Sequence, residues 1–176
     1  MKIREKRYTL AILVNNHPGV LMRVVSLFSR RGYNIDSLSV GETENTEFSR
    51  ITIVISGDRE IVEQIKKQVG KLIDVKRVYE MTQTKSIQRE LVMIKVSTTA
   101  SSRTEIVELG QIFKAKIIDV TASTVTLEMT GSLDKIQSFY DLLSPYGIVE
   151  MSRTGITALE RGSRPLSSIG YNEDES

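Results

Sequence analysis

The 176-residue chain contains no cysteine, which excludes disulfides, thiol nucleophiles and thiolate metal sites. It has one histidine, His17, so no site that needs two imidazoles, a typical catalytic zinc included, can be built. No run approaches the ~18–20 apolar residues of a membrane-spanning helix. Charge of one sign is also scarce. The 24 Lys and Arg face 22 Asp and Glu, a net of +2, which gives no electrostatic reason to expect nucleic acid or an anionic membrane as partner. Residues 1–7 are basic but lead straight into a strand-like run, without the apolar core and cleavage region of a signal peptide, so a cytoplasmic location is expected. Catalytic constellations are missing as well. There is no Gly-rich phosphate loop, and no nucleophile is fixed beside His17. The carboxylates Asp58, Glu60 and Asp134 fall at helix starts, where they complement the helix dipole.

Apolar residues make up 40% of the chain, enough for a core, and their arrangement repeats. Ile51-Thr52-Ile53-Val54-Ile55-Ser56-Gly57 lies over Val125-Thr126-Leu127-Glu128-Met129-Thr130-Gly131. At the same offset Val62 falls on Ile136, Ile65 on Phe139 and Val75 on Val149. In the first copy, Arg7–Val14 reads as a strand. Val20, Val24, Leu27 and Phe28 carry helical spacing, with Pro18 suited to the first turn and Gly32 to the stop. Strands follow at 34–42 and 48–56, then a helix capped by Asp58 with Ile61, Ile65, Val69 and Leu72 on its apolar face, then a strand at 75–81. The second copy repeats the order from Leu91 to Arg153. Each copy is therefore a ferredoxin-like βαββαβ unit, and the chain is α+β. The expected organisation is a first domain at 1–81, a linker at 82–89, a second domain at 90–162 and a disordered tail at 163–176. A four-stranded sheet with both helices on one face leaves the other face to be solvated, covered or paired. Its edges also invite pairing, which argues for a homodimer or for docking on a larger partner.

One segment stands apart chemically. Asn15-Asn16-His17-Pro18-Gly19-Val20-Leu21 joins the first strand to the first helix. A helix N-terminus carries unpaired N–H groups and partial positive charge, so an amino-acid carboxylate fits there. Gly19 leaves the backbone open to approach, and the Asn16 amide can donate or accept. An ordinary helix cap would use the same residues. Asn34, opening the second strand, is a second polar position, also suited to a turn. The second copy reads Thr98-Thr99-Ala100-Ser101 where the first has the Asn16–Gly19 loop. The loop is therefore not required by the fold, and this asymmetry favours a ligand site in the first copy.

The combination Asn16-His17-Pro18-Gly19-Val20-Leu21, Arg31-Gly32-Tyr33-Asn34-Ile35 and Ser49-Arg50-Ile51-Thr52-Ile53 resembles the regulatory subunits of acetolactate (acetohydroxyacid) synthase. So do Ile112-Phe113-Lys114-Ala115-Lys116 and Arg153-Thr154-Gly155 in the second copy. The resemblance extends to about Gly162, and it implies that the first unit is an ACT domain. Two such domains would pair side by side in a homodimer. A branched-chain effector, valine in most of the family, would bind at Asn16, Gly19, Val20 and Leu21, with Asn34 and Ile35 contributed across the dimer. Met22 stands where relatives often carry a small polar residue. The implied partner is the catalytic (large) subunit, which would hold thiamine diphosphate, Mg²⁺ and FAD. This chain would hold none of these and would itself be no enzyme; it would activate the partner and confer feedback in branched-chain amino acid biosynthesis.

Other readings share the fold. An ACT-type amino-acid sensor acting on a different enzyme uses the same loop. An acylphosphatase-like hydrolase needs an arginine and an asparagine converging on phosphate, for which Arg23 and Asn34 are the candidates. An RNA-binding module needs exposed aromatics on central strands, and these strands carry Ile, Val, Leu and Thr instead.

Overall fold

The computed structural model describes residues 6–168 and divides into two compact units. The first comprises residues up to Ile87 together with those from Ile156 onward, and the second is Gln88–Gly155.

The first unit runs β1 (Arg7–Asn15), α1 (Val20–Arg30), β2 (Ile35–Glu42), β3 (Phe48–Ser56), α2 (Arg59–Val69) and β4 (Val75–Glu80). Its antiparallel sheet has the order β2-β3-β1-β4. The alternation of β1 sends Leu10, Ile12 and Val14 toward the helices, where they meet Val24 and Phe28 of α1 and Val62 and Ile65 of α2 in one core. This is the strand period of two meeting the helix period of 3.6. Helix α1 starts later than Pro18 suggests. Its N-cap is Gly19, in the left-handed region at φ 89°. Asp58 does sit at the N-cap of α2, but its side chain makes no capping hydrogen bond.

The second unit repeats the order with α3 (Arg103–Phe113), β6 (Lys116–Val120), β7 (Thr124–Gly131), α4 (Leu133–Leu143) and β8 (Ile148–Arg153), in the sheet order β6-β7-β5-β8, where β5 is Ser86–Ser97. Phe139 is fully buried, with its ring centroid 5.0 Å from that of Phe113. Gly110 lets α3 approach β7: a Cβ there would lie 2.7 Å from Leu127 Cδ2. Glu90, 3% exposed, is buried with its partners supplied: Arg153 Nε at 3.1 Å and the Gly155 N–H at 3.1 Å. A buried carboxylate is tolerated only when paired in this way.

Two boundaries differ from those read in the sequence. The expected linker 82–89 is half strand, because β5 already begins at Ser86. Its partner there is β9 (Thr157–Glu160), and Arg161 N–H donates to the Lys85 carbonyl. Residues 156–168 lie partly in the expected second domain and partly in the expected disordered tail, yet they pack on the first unit. Ile156, Ala158 and Leu166 are 5%, 2% and 6% exposed, and Leu166–Ser168 forms a short 3₁₀ turn. The disorder expected of residues 169–176 lies outside the described residues.

The strap formed by residues 156–168 crosses the sheet face opposite the helices. Ser39 Oγ donates to the Ile156 carbonyl at 3.0 Å, Arg50 Nη2 to the Ala158 carbonyl, and Tyr79 OH to Glu160 Oε1 at 3.4 Å. On this outer face Thr9, Ala11 and Leu13 of β1 pair with Val54, Thr52 and Arg50 of β3. They belong to no helix-side core, yet Ala11 is fully buried and Thr52 and Val54 are nearly so. Ending the chain at Gly155 should therefore destabilise it by about 3–6 kcal/mol, the loss of two large aliphatic side chains at about 1.5–3 kcal/mol each. The urea midpoint of the truncated chain should fall and dye binding to apolar surface should appear. An unchanged midpoint would mean that the strap only rests on the sheet.

Candidate functional site

The loop between β1 and α1 is held from two sides. Asn16 does not cap α1. Its Nδ2 donates to Glu42 Oε1 at 3.0 Å and to the Thr46 carbonyl at 2.9 Å, and its Oδ1 accepts from Ser49 Oγ at 3.0 Å. The side chain thus ties the loop to the β2–β3 hairpin. On the other side Asp74, 5% exposed, accepts from Arg23 Nη1 and lies 2.9 Å from His17 Nε2. The Asn15 N–H donates to the Asp74 carbonyl at 2.8 Å. These ties orient the loop and the first turn of α1.

What the loop presents is a bare helix start. No side chain caps α1, no acidic residue lies in its first turn, and a Cβ on Gly19 would meet nothing within 4 Å. The loop before α3 is tied by its own hydroxyls, although the helix itself likewise has no side-chain cap and carries Glu105 in its first turn. Ser102 Oγ accepts from the Thr99 N–H at 3.0 Å, and Thr99 Oγ1 accepts from the Ser102 N–H at 3.2 Å. The difference between the two copies is thus visible in geometry. Both helix starts leave N–H groups without a side-chain cap, but Glu105 stands in the first turn of α3 and no acidic residue stands in that of α1, where an anion would meet no like charge.

The remaining candidate residues fall in different places. Val20 is 3% exposed, its side chain is core, and its N–H donates to the His17 carbonyl at 3.4 Å, so it presents little to a ligand. Leu21 is 38% exposed. Asn34 is exposed, donating to Asp36 Oδ1 at 3.3 Å, while Ile35 packs at the core edge. One chain does not join the two groups. Asn15 pairs with Phe48 and Ile35 with Ile55, seven residues apart along β3, or about 24 Å at ~3.4 Å per residue. The same separation disposes of a phosphate site made by Arg23 and Asn34, since Arg23 is paired with Asp74 near the start of α1. Asp74, Glu42 and Ser49 were not foreseen as site residues. They lie more than 20 positions from the loop, and no sequence spacing marks them.

Burial opposes ionisation of Asp74, but the hydrogen bond and charge of Arg23, with Asn15 and His17, outweigh it and hold the carboxyl below its ordinary value of 3.8. The folded pKa is lower than the unfolded one, so the stabilisation is fully present above about pH 4 and is lost as pH falls through the lowered value. Asp74→Asn should lower the melting temperature at pH 7, and the gap from the parent should close as pH falls below 4. A gap of constant size from pH 7 to 2.5 would show that the charge of Asp74 does not hold the loop.

Residues 10–77 match the model of the AHAS small subunit-like ACT domain, and residues 89–162 match that of the small subunit of acetolactate synthase. The chain is 45% identical over 161 residues to the acetolactate synthase small subunit of Mycolicibacterium smegmatis, covering 92% of this chain and 95% of that protein. It is 43% identical over 162 residues to that of Mycobacterium leprae, covering 92% and 96%. The crystal structure of the acetolactate synthase small subunit from Thermotoga maritima superposes with a TM-score of 0.81 at 38% identity, over 90% of this chain and 99% of that one. A match that runs through both units, over a fold whose first unit is an ACT domain, means that this chain belongs to the acetolactate synthase small subunit family.

Proposed function

We propose that the chain is a regulatory subunit that activates the large catalytic subunit of acetolactate synthase and transmits feedback inhibition by valine bound at the β1–α1 loop. The observation that carries the reading is the uncapped start of α1 with Gly19 open beside it, in a chain of this family. Thiamine diphosphate, Mg²⁺ and FAD would reside on the large subunit. The effector carboxylate would lie on the free N–H groups of the first turn. Asn34 and Ile35, about 24 Å away in one chain, would come from a second copy. Coupling between such a site and a distant active site is typically about 1–3 kcal/mol.

A homodimer is supported by exposed apolar side chains on the same unit. Met22 on α1 is 69% exposed, and Val40 on the edge strand β2 is 49% exposed. Edge strands pair readily, and a charge placed on one blocks pairing. Val40→Lys should shift the protein from dimer toward monomer in light scattering at tens of micromolar and should weaken valine binding in parallel. A Val40→Lys dimer with undiminished valine affinity would overturn this arrangement of the site.

Gly19→Asp tests the effector position. Two unit charges ~4 Å apart repel by roughly 4 kcal/mol at an effective dielectric of ~20. Screening and side-chain movement reduce this to about 2–3 kcal/mol, a loss of about 30- to 150-fold in valine affinity. The site has room for a Cβ, but φ 89° strains any L-residue, at about 1–2 kcal/mol. Gly19→Ala carries that strain without the charge and serves as the control. In complexes reconstituted with the large subunit, Gly19→Asp should retain activation and resist valine far more than Gly19→Ala. Equal half-inhibition concentrations for Gly19→Asp and the parent would place the effector elsewhere.

A further inference from the structure

On the outer face of the first sheet, the strap and the β2–β3 hairpin enclose a cleft of about 280 Å³. This is just under the ~300–1,000 Å³ of sites for drug-sized ligands, and so suits a smaller molecule. Leu13, Phe48, Leu159 and Leu166 give it an apolar wall. Arg50 and Glu160 line it as well, and each is incompletely satisfied.

Arg50 is a half-buried cation. Burial pushes its pKa down, against a weaker opposing influence from the Glu44 charge. Its partner is the Ala158 carbonyl. Nε is buried with no hydrogen-bond partner, and among the described residues no carboxylate lies within 4.0 Å of the guanidinium. A guanidinium offers five N–H donors in a fork that matches a carboxylate, and the Glu44 charge, which also lines the cleft, acts on this one from beyond ion-pair distance. Glu160 has the opposite deficit. Its Oε1 accepts from Tyr79 and lies 3.8 Å from Arg164 Nη2, whereas Oε2 is buried without a partner. One cleft thus combines a guanidinium with a single recorded hydrogen bond, a carboxylate with one oxygen unpaired and an aliphatic wall, with Glu44 and Arg164 also in its lining.

We propose that this cleft is a second small-molecule site, binding a free aliphatic amino acid with its carboxylate on Arg50, its ammonium on Glu160 and its side chain against Leu13 and Leu166. It is separate from the α1 loop, because it lies on the sheet face opposite the helices.

The test is residue-resolved NMR of the full-length chain, titrated with valine, with 2-oxoisovalerate (the same carboxylate and side chain without the ammonium) and with inorganic phosphate. Valine should give saturable shifts at residues 158–166 and at Leu13. Arg50→Gln should weaken that binding by about tenfold to a hundredfold while leaving the shifts around Gly19 intact. Glu160→Gln should weaken valine but not 2-oxoisovalerate. Ser39→Ala removes another strap anchor and keeps both charges, so it should bind valine like the parent and separates charge recognition from loosening of the strap. No saturable shift in the strap up to ~10 mM valine, far weaker than a millimolar site, would overturn the proposal. So would Arg50→Gln binding equal to the parent, Ser39→Ala as weak as Arg50→Gln, or phosphate binding as tightly as valine.

Discussion

A four-stranded sheet that carries both its helices on one face must hide the other face, and the first unit depends on how this is done. Its central strand β1 is apolar on both faces. Leu10, Ile12 and Val14 pack under the helices, while Ala11 and Leu13 point away from them and are buried all the same. At roughly 25 cal/mol per Å² of apolar surface, such a face is not left to water. The strap supplies cover with Ile156, Ala158 and Leu166, and is fixed by hydrogen bonds from Ser39, Arg50 and Tyr79. A segment read as part of the second domain and a loose tail is thus a component of the first unit.

The two copies of the fold were then put to different use. Where the second ties the loop before its first helix with Thr99 and Ser102 and places Glu105 in the first turn, the first leaves Gly19 bare without an acidic residue and holds the loop by Asn16 on one side and Asp74 on the other. The Asn16 amide reaches the β2–β3 hairpin, and Thr43, Glu44 and Phe48 of that hairpin line the cleft on the outer face. The loop and the cleft therefore share a structural wall.

The exposed apolar residues belong to the same logic. Met22 and Val40 are solvated in one chain, on the unit whose candidate residues Gly19 and Asn34 lie too far apart to meet. The exposed Met22 and Val40 and the separation of Gly19 from Asn34 are the two observations on which the proposed pairing of copies rests.

The sequence by itself determined the elements, their order and the duplication. Apolar periods of 2 and 3.6 are local properties of the chain, and they placed β1 to β4, α1 to α4 and β6 to β8 within a few residues. The Asn16–Gly19 loop was also legible, because Gly19 and its neighbours are contiguous and absent from the second copy. Only the tertiary structure decided which side chains hold that loop, since Asp74 and Glu42 are far from it in sequence and carboxylates carry no periodic signal. It alone turned half of the expected linker into strand, because the partner of Ser86 onward lies about seventy residues downstream in β9. It also returned residues 156–168 to the first sheet. That segment is short and mostly polar, and its strand alternation covers only Ile156 and Ala158 before the chain turns, too little to read from sequence, so burial against a distant strand defines it.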